Sequence, residues 1–410
     1  MDTGNTAWLL ISTGLVMFML PGLAFFYGGL VRRKNVLSTI MHSFFGLALV
    51  TVVWVVVGFS LAFAPSVNLP ILGTGWIGDL SYALFNGVGM QPSTVYGVTI
   101  PFVLFAGFQL MFAAITPALI TGAFAERKKF ASFVTFTVLW SLFIYSPLAH
   151  WVWGADGWLY KLGALDYAGG TVVHISSGVS ALVAALMIGK RRKSEDKMEP
   201  HDVPMVVLGA GILWFGWFGF NAGSALAADG RAAMALMVST VAAAAGMISW
   251  VGVQYLRTQK VSAVGAAAGA VAGLVAITPA SGFVGVGGAL IIGLVVGGLS
   301  YTMAGILRER LQVDDALDVF AVHGVGGMWG ALATGIFALA AVGGVPGLIE
   351  GNPQQVVNQL IAIVATVAFA ATGTFVIMKV INVAFGARVP GEHEEIGLDL
   401  AIHGEAAYQV

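Results

Sequence analysis

The sequence predicts an all-α integral membrane protein of eleven transmembrane helices, with its N-terminus outside and its C-terminus inside. Three observations carry that prediction. Hydrophobic residues make up 58% of the 410 positions and charged residues only 10%, where a soluble domain carries about 25% charge. So few charges cannot clothe a water-exposed surface. The charge-free stretches are long, each able to hold the roughly 20 apolar residues of a bilayer crossing. Basic residues return after every second span. The net charge of -1 excludes a basic nucleic-acid-binding chain. With no cysteine there is no disulfide, thiolate metal site or thiol nucleophile.

Taken in order, the charge-free stretches run 3–31, 35–78, 80–125, 130–155, 167–189, 203–228, 232–256, 261–307, 319–349 and 351–378. Three could hold two spans. In 35–78 the second half contains Pro65, Pro70, Gly73, Gly75 and Gly78, which reads as a loop. The first half of 80–125 is broken by Asn86, Gly87, Gly89, Gln91, Pro92 and Ser93. In 261–307 a short breaker at 278–282 separates two full-length apolar runs, giving eleven spans. Cations cluster at Arg32/Arg33/Lys34, Arg127/Lys128/Lys129, 190–197, Arg257/Lys260, Arg308/Arg310 and Arg388. These follow the odd-numbered spans, so the positive-inside rule places those exits in the cytoplasm. Positive charge follows the first apolar run rather than preceding it, which predicts a first span inserted N-out instead of a cleaved signal. The expected division is a transmembrane domain over 1–386 and a cytoplasmic tail over 387–410.

An internal echo crosses this layout. Span 5 reads Val173-His174-Ile175-Ser176-Ser177-Gly178 and span 10 reads Val322-His323-Gly324-Val325-Gly326-Gly327, each after an aspartate (Asp166, Asp318). Spans 5 and 10 lie in halves that start on opposite sides, so the pattern predicts an inverted five-helix repeat plus one extra helix, a common transporter plan. Glycines recur at four-residue spacing (Gly265/Gly269/Gly273, Gly293/Gly297, Gly326/Gly330). They fit close helix packing about an interface between the halves or between subunits, or plain packing within the bundle.

Of seven histidines, only His174 and His323 combine membrane depth with the echo. Intramembrane imidazoles mark a proton or small-molecule path, or bridge two helices by a hydrogen bond. A metal site needs three or four ligands; cysteine is absent and carboxylates are scarce in the spans, so neither a metal nor another cofactor is expected. No nucleophile–base set or phosphate-binding loop points to an enzyme. Phe108 and Phe112 lie four apart on span 3, and Phe220 follows Trp217 on span 6.

The string Gly163-Ala164-Leu165-Asp166-Tyr167-Ala168-Gly169-Gly170-Thr171-Val172-Val173-His174, with Gly216-Trp217-Phe218-Gly219-Phe220-Asn221-Ala222-Gly223-Ser224, resembles the Amt/Mep/Rh ammonium transporter family. So do Phe25-Phe26-Tyr27-Gly28-Gly29, Ala125-Glu126-Arg127, Asp318-Val319-Phe320-Ala321-Val322-His323-Gly324 and the tail's Gly397-Leu398-Asp399. The resemblance spans the chain. It implies a homotrimer in the cell membrane, with a narrow apolar pore through each subunit. Trp153, Phe112 and Ser224, with Phe108 beside them, would form an outer ammonium site supported by Asp166. Phe112 and Phe220 would stack as a gate, and His174 and His323 would form a twin-histidine proton relay. Ammonium would shed a proton and cross as ammonia, with the proton following separately; methylammonium is a further substrate. A PII signal protein is the partner expected at the cytoplasmic mouth. Trp153 and Ser224 favour the Amt branch over Rh, and Tyr167 departs from the phenylalanine common there. The alternatives are an ammonium sensor of the same fold and an Rh-like neutral-gas channel.

The chemistry suits the assignment. Ammonium nearly matches potassium in size, and aromatic faces attract either cation. Four N–H donors and a removable proton distinguish ammonium, and a conduit hostile to charge passes only what can shed it.

Overall fold

A computed structural model describes residues 1–192 and 199–408. Ten helical segments are long and apolar enough to cross a bilayer, and a shorter apolar helix joins them. In chain order they are α1 (Thr3–Leu30), α2 (Arg33–Phe63), α3 (Phe102–Phe124), α4 (Phe130–Leu162, with a turn at 154–157), α5 (Gly170–Ile188), α6 (Val203–Ala225), α7 (Gly230–Thr258), α8 (Ala263–Ile277), α9 (Val286–Arg310), α10 (Phe320–Phe337) and α11 (Pro353–Ala384). No β-strand longer than an isolated bridge occurs among the described residues. Residues 64–101 form loops and one short 3-10 turn, as their prolines and glycines require.

Local chemistry sets the helix starts. Asp2, Asp202, Asp229 and Ser262 each accept a backbone N–H three residues on, at 2.7, 2.9, 2.9 and 3.1 Å. These side chains satisfy donors that a helix leaves unpaired in its first turn. Along the outside, large apolar side chains such as Leu10, Ile11, Phe44, Val52, Phe143, Ile248 and Val364 stand exposed on helices. A continuous apolar exterior of this kind is stable against lipid and not against water.

The glycine rows are used inside the subunit. A methyl group on Gly269 or Gly273 would strike the backbone of α7, as would one on Gly293 or Gly297, and one on Gly330 would strike Ala276 of α8. Of the readings these rows left open, packing against neighbouring helices of the same bundle is the one the contacts show. Backbone-to-backbone approach is what glycine permits and any larger residue prevents.

Among the described residues, four π turns lie within the long helices α2, α4, α6 and α9, two more open α5 and α10, and one lies in the tail at Asp399–His403. The turns at Gly170–Ile175 and Phe320–Val325 occupy matching places: each starts a largely buried helix and carries the Val-His pair. Near contacts pair Gly170 with Gly327, and Gly178 with His323 and Gly324. Positions rise along one helix as they fall along the other, so α5 and α10 cross in opposite directions.

The face carrying the basic loops is tied together by the C-terminal segment. Glu126, with φ at 70°, accepts three bonds from Arg32, two from its side chain at 2.8 and 2.7 Å and one from its backbone at 2.7 Å. Arg388 grips Glu394 through two nitrogens at 2.6 and 2.9 Å. Asp399 accepts from Leu37 and Ser38 at the start of α2, at 3.0 and 2.8 Å. The Tyr408 hydroxyl lies 3.1 Å from His201 Nε2. Residues 387–408 are therefore docked on the loops of their own subunit. Two of the expected basic cluster, Lys193 and Lys197, lie outside the described residues.

Lys128, on the loop joining α3 and α4, is fully buried and pairs with no carboxylate among the described residues. Its ammonium lies 4.4 Å from the Phe124 ring centroid, 5.0 Å from Phe136 and 3.5 Å from Met378 Sδ. Burial, helped by the charge of Arg127, pushes its amine down to about 7.

Candidate functional site

Three cavities stand in file through the bundle. On the face opposite the basic loops is one of about 240 Å³, walled by Phe112, Trp153, Asp166, Ser224, Gln109 and Tyr167 among others. At the centre is one of about 10 Å³, room for about a single water-sized molecule. Its walls are apolar apart from His174 and His323, and include Phe26, Trp217 and Phe220. Beyond it a cavity of about 890 Å³ lies at the basic face and shares Phe26, Val271 and His323 with the central one.

The outer cavity is closed toward the centre by two stacked rings. Phe112 on α3 and Phe220 on the π turn Phe218–Ala222 have centroids 4.2 Å apart and planes tilted by 29°. Trp153 stands edge-on to Phe112 at 6.0 Å, so two aromatic faces border the cavity. Phe108 touches Phe112 at 5.0 Å but lies fully buried behind it, off the cavity wall. The Ser224 hydroxyl donates to the Phe220 carbonyl at 2.8 Å. With its hydrogen so engaged, the oxygen offers only lone pairs to the cavity and suits a cationic N–H donor.

Asp166 holds this region together. Its Oδ1 accepts the N–H groups of Gly169 and Gly170 at 2.7 and 2.6 Å, and its Oδ2 those of Thr171 and Val172 at 2.8 and 3.3 Å, together with the Thr171 hydroxyl. Its backbone carbonyl accepts the Trp153 indole N–H at 2.9 Å. One residue thus caps the half-helix bearing His174 and sets the angle of the outer tryptophan.

At the centre, His174 Nδ1 and His323 Nδ1 are 3.2 Å apart, both residues buried, with rings nearly parallel at 25°. Trp217 stacks on His174 at 5.5 Å and is itself anchored through its indole to Thr278 Oγ1 at 2.9 Å. His174 Nε2 is buried with no hydrogen-bond partner among the described residues. The remaining membrane-depth histidines lie elsewhere. His42 packs on Phe133 at 4.5 Å, and His150 bonds Ser66 at 2.7 Å.

A family model described as the Ammonium Transporter Family matches residues 7–408. The chain belongs to the ammonium transporter family. It is 48% identical to an ammonium transporter of Bacillus subtilis (strain 168), over 100% of this chain and 99% of that one. It is 47% identical to Ammonium transporter Amt1 of Archaeoglobus fulgidus, over the whole of both. Among solved structures, Saccharomyces cerevisiae Mep2 matches with a TM-score of 0.90 and 40% identity, covering 100% of this chain and 92% of the other. A structure titled Sensor Amt Protein matches at 0.89 and 30% identity, over 97% and 98%.

Within this family fold, the structure corrects one pairing read from the sequence. Asp318 was matched with Asp166, yet it bonds Arg308 at 2.7 Å and has φ at 55°. Asp315 is the counterpart. It precedes its histidine by eight residues, as Asp166 does, and its Oδ2 accepts the N–H five residues on, from Phe320 at 2.7 Å. Equal spacing to the two histidines would have revealed it. Sequence reasoning also missed Trp217 as the support of His174, and Gln109, whose buried amide oxygen has no partner and whose side chain lines the outer cavity. A lone amide inside the apolar run 102–120 was the available signal.

Proposed function

We propose that this chain is an ammonium transporter that recruits NH4+ at the outer cavity, removes one proton and passes ammonia and the proton separately to the basic, cytoplasmic side. The observation that carries this reading is the central cavity. It is too small for a hydrated ion, apolar, and has only two imidazoles in mutual contact as polar wall. An intact cation there would lose its hydration shell with no fixed negative charge in return. Ammonia loses little, and the imidazoles offer the proton a separate acceptor chain. Trp153, Phe112 and Ser224 would hold the cation first, through ring faces and one hydroxyl acceptor. Asp166 would fix their geometry, Phe108 would back the gate, and Phe112 with Phe220 would part to admit the ammonia.

The same reading places the protein in the cell membrane, N-out and C-in, as a homotrimer with a pore in each subunit and 387–410 as its cytoplasmic tail. A PII signal protein would act on the large inner cavity. The test is electrical. Proteoliposomes carrying the protein should pass inward current on addition of ammonium chloride and none on potassium chloride, with native mass spectrometry giving three chains per particle. One solved relative is titled a sensor. Ammonium binding without current would favour that second reading.

A further inference from the structure

The loop between α9 and α10 carries three aspartates whose surroundings differ. Asp314 is clamped by Arg191 through bonds of 2.7, 3.0 and 3.1 Å. Asp318 is held by Arg308. Asp315 has no ion-pair partner among the described residues. It is 7% exposed, its Oδ2 is bonded to the Phe320 N–H, and its Oδ1 is buried and makes no hydrogen bond of normal geometry among the described residues, the Val319 N–H being the other donor beside the carboxylate. A structural cap would satisfy both oxygens, as the Asp166 carboxylate does. Asp315 is a cap with one oxygen left over, and it lines the same large cavity as His323.

We propose that Asp315 is the proton acceptor at the inner end of the pore, taking the proton that leaves His323 and releasing it to the cytoplasmic solution. This rests on the conduction reading above. One N–H bond of ammonium breaks at the outer side, and its proton moves through the two imidazoles. An O–H bond forms at Asp315 and breaks again to water. Ammonia regains a proton from the inner solution, so the sum is one ammonium ion moved inward.

The groups around Asp315 suit this role. From its own loop, Asp318 raises its proton affinity, while Asp314 is compensated by Arg191. From the loop after α3, Arg127 opposes the rise, though it is directed at the carbonyls of Ala123 and Asp314. Arg308 is engaged by Asp318, and Tyr27 of α1 faces the group with its hydroxyl donated to Leu119. Burial wins and pushes the carboxyl up to about 7. A relay group must accept from imidazole and give up to near-neutral water, which needs an affinity near the working pH.

The experiment uses the full chain in proteoliposomes, with internal pH varied between about 5.5 and 8.5 and ammonium currents recorded for parent, Asp315→Asn and Asp315→Glu. Asparagine keeps an acceptor for Phe320 but cannot carry the proton. It should cut the current by about tenfold or more and erase the dependence on internal pH seen near 7 in the parent. Glutamate should restore the current with a displaced pH dependence. An Asn variant with the parent's current and pH profile overturns the proposal, as does a Glu variant no better than Asn. If the Asn variant does not assemble, a parent current indifferent to internal pH overturns it. A parent with no ammonium current would instead sink the conduction reading and take this proposal with it.

Discussion

Replacing Asp166 by alanine removes the acceptor on which four backbone N–H groups converge, from Gly169, Gly170, Thr171 and Val172, and one hydroxyl, from Thr171. A buried donor left unpaired costs about 1–3 kcal/mol, so the four N–H groups together are exposed to a loss of roughly 4–12 kcal/mol. Asp166 borders the outer cavity, so water can reach some of them, which points to the lower end, about 4–6 kcal/mol. Asparagine keeps one acceptor oxygen and should cost about half as much. The assay is the thermal midpoint of the purified protein in detergent, read alongside ammonium current. Stability should fall in the order parent, Asp166→Asn, Asp166→Ala, with the alanine variant melting at least about 5 °C lower. Current should fall further than stability alone explains, because the carbonyl that holds the Trp153 indole sits on the residue whose cap is lost. An alanine variant melting within a degree or two of the parent would refute the reasoning.

His174→Asp or His323→Asp should let potassium carry current that the parent refuses, because a buried carboxylate stabilises any small monovalent cation; replacing both histidines by leucine should abolish ammonium current while outer-site binding survives. Lys128 is held near 7 in the fold while an unfolded lysine titrates near about 10.4, so the unfolded chain binds the extra proton between those values and stability should rise across that window. Lys128→Met should remove that slope and match or exceed the parent's thermal midpoint at pH 7. Deleting 387–410 should lower transport while native mass spectrometry still shows a trimer, and Asp399→Ala should loosen the same segment enough to speed its proteolysis.

The membrane class and the loops were legible because both follow from local chemistry. Lipid demands long uncharged helices, and Pro65, Pro70 and the glycines near them cannot sit in one. The histidine pair was legible because His174 and His323 share a short pattern in helices that turn out to cross. What the sequence concealed is geometry that no residue type encodes. Nothing in Phe218-Gly219-Phe220-Asn221-Ala222 announces a π turn, yet His174, Phe220 and His323 each sit in one, and such turns aim a side chain that a regular helix would rotate away. Asp318 was paired with Asp166 although it precedes its histidine by five residues and Asp166 by eight; Asp315 lies at the matching offset. The glycine rows reported close packing truthfully but not with whom. Phe108 shares the spacing of Phe112 on one helix face, yet a ring of that size in front of it leaves no room at the wall.

The 3.2 Å contact between the histidine Nδ1 atoms has a temporal consequence. Two such nitrogens can share only one hydrogen, so the tautomer of one ring dictates that of the other. In the proposed relay, a proton arriving at the unpartnered His174 Nε2 would displace the shared hydrogen toward His323, whose own Nε2 hydrogen would then depart inward. The pair would be left as the mirror image of its starting state and could not repeat the transfer in the same direction. Before the next passage the shared hydrogen must return or both rings must turn over. A relay built this way would carry a dead time after each transfer. The rings are pinned by Trp217 on one side and by each other, so the packing that orients them would also set how soon the proposed relay could act again.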